Sequence, residues 1–350
     1  MVAPTAAEIA TIVAAGARAP SGDNSQPWHL RTRGAAIEVT FDPERSRCGR
    51  FGHVAGLMAI GGLLESMEIA ASGLGLRTVA TRAHGQGSFL VRVLREPGQG
   101  SDLAAAIDER CTNRSPYEQT SLPWGTLDAL LSEGDVASSV LLTSDPKRRA
   151  AVAGAAGLGE RVRFDEVPMD DFQRWLRFSP EEAGRTRDGL DVRLLGLTVA
   201  EKLALRISGT RPGLATLRAL GATSLAGRRA EQEVLASGAV GVITQAALTD
   251  DAFIASGRVL VRVWLRATRL GLAFGPAAAA TLVPLSRHFG ATFAPHHEAA
   301  LDAVERTLRE SFEIPQGRRP VFLFRVGSPT SLPPFASERR ARRAATEGAQ

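Results

Sequence analysis

The chain has 350 residues, 44% hydrophobic and 23% charged, a composition that excludes a disordered or fibrous protein. Its length exceeds what one ordinary domain of about 100–200 residues needs. Of 42 basic residues only Lys147 and Lys202 are lysines, so 40 are arginines. They are spread along the chain instead of forming a stripe, which argues against a nucleic-acid partner; the exception is the run Arg339, Arg340, Arg342 and Arg343.

No uninterrupted apolar run approaches the roughly 18–20 residues of a membrane span, so no membrane partner is expected. Glu8 breaks the only apolar stretch near the N-terminus, and no secretory signal is expected. Cys48 and Cys111 are too few for a disulfide framework or a zinc cluster. A reduced, cytoplasmic setting follows as the expectation.

Thr5-Ala-Ala-Glu8 has the form of a capping box, and Ile9, Ile12 and Val13 share one face of the helix it opens. The turn formers at 19–25 end that helix. Trp28–Arg33 and Ile37–Phe41, joined around Gly34, predict a hairpin. Val54–Leu76 is apolar almost all round and predicts a buried helix. Phe89–Leu94 alternates apolar residues with Arg92 and predicts a strand.

From about 102 a short helix leads into Glu109-Arg110-Cys111-Thr112-Asn113-Arg114. Pro123–Leu131 reads as a helix and Ser139–Thr143 as a strand. Asp145-Pro146 is an N-cap with proline at the first helical position. The stretch 150–228 is helical and polar in pattern. Val240–Thr244 predicts a strand, Asp251–Leu270 a buried helix, His296–Phe312 an amphipathic helix and Val321–Val326 a strand.

An internal repeat links the two halves. At an offset of 196 residues Met58-Ala-Ile-Gly61 lies over Ile254-Ala-Ser-Gly257, and Leu74-Gly75-Leu76 over Leu270-Gly271-Leu272. Each copy is a long apolar helix followed by a strand with an internal arginine, Arg92 or Arg325. The pattern predicts a duplicated fold whose two central helices pack together as in a dimer.

Several motifs fail on context. Gly154-Ala-Ala-Gly157-Leu-Gly159 lies inside a helical pattern, not between a strand and a helix, so it is no dinucleotide loop. His296-His297-Glu298 lacks the i, i+4 histidine spacing of a helical zinc site, and no metal is expected. Cys111 has no histidine nearby in sequence to activate it as a nucleophile.

Pro20-Ser21-Gly22-Asp23-Asn24-Ser25-Gln26-Pro27-Trp28 differs from these. It is a polar turn between a helix and a strand, rich in small hydrogen-bonding groups; taken alone it also fits an ordinary loop of Asx turns. This segment resembles the Pro-Ser-x-x-Asn-x-Gln-Pro-Trp signature of the FMN-dependent nitroreductase superfamily. Other stretches resemble that family in the right order: Arg110-Cys111-Thr112-Asn113-Arg114, the helix 255–272, Pro276–Ala279, and Val321–Gly327 before a C-terminal arm. The single-chain length, the Thr-Asn-Arg triplet at 112–114 and the duplication look most like the Acg-type branch, in which one chain mimics the usual homodimer.

The resemblance implies an α+β, nitroreductase-like fold, an antiparallel-type sheet flanked by helices and duplicated as a pseudo-dimer within a monomer. Residues 1–100 would form the first half. Residues 101–350 would form the second, with a helical insertion at about 150–228 serving as a lid and an arm at 328–350. FMN would bind between the halves. The first half would contribute Pro20, Ser21, Gly22, Asn24 and Gln26, and the second Arg110, Cys111, Thr112 and Arg114. Pro276, Ala277, Ala278 and Ala279 would follow the flavin edge, with the backbone N–H of Ala278 facing N5. Arg339 and Arg340 would complete the phosphate site.

The implied chemistry is ping-pong: hydride from NADH or NADPH to flavin, then electrons to a nitro-aromatic, quinone or similar small acceptor. The alternative is a flavin-sequestering protein with little turnover. Neither a second Pro-Ser-x-x-Asn loop near 133–139 nor an Arg-x-Ser-x-Arg before the first helix is present, which predicts one FMN per chain.

Overall fold

The computed structural model describes residues 3–46, 52–83, 85, 87–96, 100–166, 169–333 and 335–340. Cys48, Arg342 and Arg343 lie outside these described residues. Helix α1 (Ala6–Ala17) opens on the expected capping box: Glu8 N–H donates to Thr5 Oγ1 at 3.2 Å and Thr5 N–H to Glu8 Oε2 at 2.7 Å. Strands β1 (Trp28–Arg33) and β2 (Ala36–Phe41) form the hairpin, which turns on Gly34 at a φ of 56°. Helix α2 (Gly52–Gly73) precedes β3 (Arg77–Arg82) and β4 (Phe89–Leu94), closing an antiparallel sheet of order β1-β2-β4-β3.

Short α3 (Ala106–Glu109), α4 (Trp124–Leu131) and β5 (Ser138–Thr143) come next. A helical run follows: α5 (Pro146–Glu166), α6 (Met169–Gln173), α7 (Pro180–Thr186), α8 (Val199–Ile207), α9 (Arg211–Ala219) and α10 (Ala222–Leu235). The two-residue strands β6 (Leu176–Arg177) and β7 (Leu190–Asp191) pair within it. Then β8 (Ala239–Gln245), α11 (Asp250–Arg269), β9 (Ala273–Pro276), α12 (Ala279–Ser286), α13 (Pro295–Phe312) and β10 (Arg319–Gly327) build a second antiparallel sheet of order β5-β8-β10-β9. The fold is α+β, antiparallel sheets flanked by helices.

The two sheets have one connection order. Read along the chain, β1, β2, α2, β3, β4 take the same places in the first sheet as β5, β8, α11, β9, β10 take in the second. Helices α2 and α11 cross in the centre. A Cβ on Gly61 would overlap the Ile254 carbonyl, and one on Gly257 would overlap the Met58 carbonyl. The contact is reciprocal at the 196-residue offset of the sequence repeat: residue i touches j, and the equivalent of i touches the equivalent of j. Only glycine at both places lets the backbones approach this closely. By length and apolar composition α2 could cross a membrane, but 89% of its apolar window is buried inside the fold.

Besides the two-residue strands β6 and β7, three elements escaped sequence reading. Strand β3 is a half-buried edge strand with arginine at each end, so its alternation is blurred. Strand β9 is only four residues long. Helix α12 carries Pro284, a residue that argues against a helix interior. Two of the three glycines at 154–159 find their reason in α5: a Cβ on Gly157 would press on the Gly227 carbonyl of α10, and one on Gly159 on the Ala280 backbone of α12. They are close-packing positions, in keeping with the rejection of a nucleotide loop.

Many of the arginines are paired. Along α11, Arg258 and Arg262 donate to the buried Glu65 of α2 at 3.0 and 3.1 Å, and Arg266 holds Glu133 and Asp102. Arg287 reaches Glu298, Asp302 and Glu305. The 42 basic residues stand against 37 acidic ones, which leaves a net charge of only +5.

Candidate functional site

A cavity of about 580 Å³ opens where the ends of both halves meet. Its walls come from the 20–24 turn, the first turns of α2 (Ala55, Met58, Ala59), the 110–114 segment, α11 (Leu260, Trp264), the 276–279 segment, the helices α5, α8, α9 and α10, and Arg339. The size falls in the range of small-molecule and cofactor pockets.

The turn is built by its own side chains. Asp23, Asn24 and Gln26 all adopt left-handed backbone, with φ of 51°, 53° and 50°. Ser21 Oγ accepts the Gln26 N–H at 2.9 Å and holds the turn. The side chains of Asn24 and Gln26 then act as clamps. Asn24 Nδ2 donates to the carbonyls of Gly189 and Glu338, both at 3.0 Å, and Gly189 N–H returns a bond to Asn24 O at 3.1 Å. Gln26 Nε2 donates to Arg187 O at 2.9 Å, and its Oε1 accepts the Arg340 N–H at 2.9 Å. The signature turn thus ties down both the 187–189 loop and the arm at 335–340.

Twelve of the fifteen residues expected at a cofactor line this one cavity: Pro20, Ser21, Gly22, Asn24, Arg110, Thr112, Arg114, Pro276, Ala277, Ala278, Ala279 and Arg339. Gln26, Cys111 and Arg340 do not line it. Gln26 and Arg340 are bound to each other and to backbone, with Arg340 Nη2 donating to Trp28 O at 2.8 Å. Cys111 presents its carbonyl to Trp264 Nε1 at 3.2 Å, and burial raises its thiol above the usual range, which disfavours the thiolate. The 276–279 segment is also not a plain loop. Pro276 ends β9, and Ala278 caps α12, where its N–H donates no hydrogen bond to another described residue.

Six guanidinium groups line the cavity. Arg163 pairs with Glu160, and Arg229 with Glu201 and Glu233; the other four, Arg110, Arg114, Arg325 and Arg339, have no carboxylate within ion-pair distance among the described residues. Arg110 is 6% exposed; it donates to Arg18 O at 2.9 Å and lies over the Trp264 ring at 4.7 Å. Burial, then the cations of Arg339 and Arg18, pull it down to about 9. Arg339 is lowered to about 10 by burial and by Arg18; it donates to Asn24 Oδ1, and its buried Nε has no partner. Burial likewise lowers Arg114.

The fourth, Arg325 of β10, was not foreseen as a site residue. It is 1% exposed, lies 3.9 Å over the Tyr117 ring, and leaves its buried Nη1 without a partner. Sequence reading saw it only as the charged residue of an alternating strand. Its counterpart Arg92 of β4 is exposed, so position in the repeat could not reveal that Arg325 turns inward. Unpaired buried charge costs several kcal/mol unless something compensates it. Two buried and two half-buried groups of this kind around one cavity suit an anionic ligand.

The loop at 187–189 adds a paired cation cluster beside the turn. Asp188 accepts from Arg177 Nη2 at 2.6 Å and from Arg45. Burial alone would raise its pKa, but the bonds from Arg177 and Arg45 outweigh it and hold the carboxyl below its ordinary 3.8. A depressed carboxylate stabilises the fold above its unfolded pKa, and that stability is lost as pH falls through the lower, folded value. Asp188→Asn is therefore expected to cost about 1.5–3 kcal/mol at neutral pH, from lost charged hydrogen bonds, and to flatten the acid limb below pH 3.8. Urea unfolding at neutral and acid pH checks this; equal pH slopes for the two proteins would contradict it.

Among the described residues no group of three or more His, Cys, Asp or Glu side chains is placed to hold a metal ion. No family model matches the chain. A curated relative, an uncharacterized protein of Mycobacterium tuberculosis (strain CDC 1551 / Oshkosh), is 26% identical over 352 residues, which are 96% of this chain and 48% of the relative. The chain thus spans about half the length of the curated relative it matches. Among solved structures it is similar to an FMN and NADPH-dependent nitroreductase from Sphigopyxis sp. strain HMH (14% identity, TM-score 0.36, 66% of this chain and 89% of that one). It is also similar to a nitroreductase with bound FMN from Bacteroides fragilis NCTC 9343 (12% identity, TM-score 0.36, 71% and 99%). A third likeness is to nitroreductase A from Vibrio parahaemolyticus RIMD 2210633 (12% identity, TM-score 0.33, 67% and 69%).

Proposed function

We propose that this chain binds one FMN in the cavity and is an NAD(P)H-dependent oxidoreductase acting on a nitro-aromatic, quinone or similar small acceptor. In this reading the chain is a pseudo-dimer of two nitroreductase-like halves, 1–100 and 101–350, working as a monomer in the cytoplasm with no nucleic-acid partner. The observation that carries the reading is a set of four guanidiniums, Arg110 and Arg325 buried and Arg114 and Arg339 half-buried, that line the cavity beside small residues with no carboxylate within ion-pair distance among the described residues. The donor set fits the group: arginine forks suit a phosphate, and Gly22, Ala55, Ala59 and Ala277–Ala279 let backbone come close to a flat ring.

When bound, a flavin supplies the redox chemistry. The protein's part is binding, orientation and charge. Arg110 and Arg339 hold the phosphate. Arg114 and Arg325 stabilise negative charge at the ring or its side chain. The unoccupied N–H of Ala278, at the start of α12, offers a fixed donor to the ring edge. The small side chains of Ala277 and Ala279 supply no acid from this segment itself.

Flavin sequestration is the second reading. It is favoured by the wall that α5, α8, α9 and α10 add to the cavity, a cover over whatever lies inside. A visible absorption spectrum of the purified protein tests the first claim, with one flavin per chain expected. A colourless protein that takes up no added FMN overturns it. NADPH oxidation with a quinone or nitrofuran then separates the readings: turnover supports the enzyme, while a flavin that resists NAD(P)H but yields to dithionite supports storage.

A further inference from the structure

Helix α8 sits with its apolar stripe outward. Val199, Leu203 and Ile207, spaced i, i+4, i+8, are 84%, 58% and 42% exposed. The other flank of the same helix, Glu201, Ala204, Leu205 and Ser208, faces the cavity. Neither α8 nor α9 is anchored by a fully buried side chain. Six of the twelve exposed large hydrophobic residues among the described ones fall in 199–235. An exposed apolar concentration of this kind marks an interaction surface.

The charge around the stripe is one-sided. Residues 199–235 carry six cations, Lys202, Arg206, Arg211, Arg218, Arg228 and Arg229, against three acids, Glu201, Glu231 and Glu233, of which Glu201 and Glu233 pair with Arg229. Arg218 pairs with Asp165. Lys202, Arg206, Arg211 and Arg228 have no carboxylate within ion-pair distance among the described residues, in contrast to the arginines of α11. On the helical wheel Lys202 and Arg206 lie along one edge of the stripe, Arg206 over the Phe178 ring at 5.1 Å, so their stems can lie along an apolar phase with the charges at its edge.

We propose that the α8–α9 hairpin docks on the surface of an anionic lipid bilayer. An apolar stripe with cations at its margin matches the acyl boundary and the anionic headgroups of such a surface. A second copy of the chain fits less well, because a two-fold contact through this face would set the same unpaired cations against each other. The expectation of no membrane partner rested on the lack of a spanning segment; a helix lying in the interface needs none. The proposal does not depend on what fills the cavity.

The test is flotation of the full chain with vesicles of phosphatidylcholine alone and of phosphatidylcholine mixed with phosphatidylglycerol. Binding to the mixed vesicles, absent from the neutral ones and weakened by salt, is expected. Arg206→Gln should weaken it about fivefold, the worth of one cation near such a surface. The double variant Val199→Gln, Leu203→Gln should abolish it while circular dichroism stays unchanged, since both side chains are exposed. Failure to float with either vesicle overturns the proposal. So does equal binding by the wild type and the double variant, or a dimer in light scattering that the double variant dissolves.

Discussion

Replacing Gly61 by alanine is expected to destabilise the protein by about 3 kcal/mol, at the upper end of what one inserted methyl group costs in a packed core. The new Cβ would overlap a backbone carbonyl of α11, and backbone cannot turn aside as a flexible side chain can. The two central helices would have to separate, and each is buried along most of its length. Gly257→Ala should behave the same way, because its Cβ meets the Met58 carbonyl in the reciprocal position. Gly154→Ala is the control. It is also a glycine inside a long helix, but its Cβ meets nothing within 4 Å. That change is expected to be neutral or to stabilise by up to about 1 kcal/mol through helix propensity. Urea unfolding of the three variants at a fixed flavin content checks this. If Gly61→Ala matched Gly154→Ala, the close crossing would be wrong.

The second large effect concerns Arg110, where two measurements should move in opposite directions. Without an anion, its guanidinium is a buried charge with one carbonyl and one ring for company. Arg110→Met removes that charge and keeps much of the packing against Trp264. The ligand-free variant should be at least as stable as the wild type, since replacing an uncompensated buried charge by an apolar group is neutral or favourable. FMN affinity should fall about tenfold to a hundredfold, the value of one or two charged hydrogen bonds. The stabilisation that added FMN gives the wild type should shrink accordingly. Arg339→Met should show the same opposition, and Arg325→Met tests whether the unforeseen residue belongs to the set. A ligand-free Arg110→Met that unfolds more easily and binds FMN as tightly would mean that Arg110 is structural.

Much of the frame was legible because it rests on local signals. The capping box at Thr5, the apolar α2 and α11, and the strands at 89–94 and 321–326 follow from patterning that tertiary context reinforces. The reciprocal glycines were visible as a repeat, though the sequence alone could not give them their reason. What stayed hidden depended on the third dimension. Arg325 and Arg92 share a place in the repeat and look alike in sequence; only the sheet's surroundings decide that one is buried and the other exposed. Gln26 and Arg340 sit in plausible motifs, yet their side chains fasten the arm to the turn instead of lining the cavity. The outward stripe of α8 has the periodicity of a core-facing helix. A periodic pattern states that one face is apolar, not which way the face points.

The meeting of α2 with α11 also sets a schedule for making the protein. Helix α2 is apolar on nearly every side, and the face around Gly61 and Gly62 is covered chiefly by a helix that follows 196 residues later in the chain. At about 5–20 residues per second, ribosomal synthesis leaves that face uncovered for roughly 10–40 s. A spanning-length apolar helix waiting that long at the tunnel exit is a natural client for a nascent-chain chaperone. Two separate subunits would each finish before meeting a partner; a single chain carrying both helices must instead protect its first one while the second is still being made.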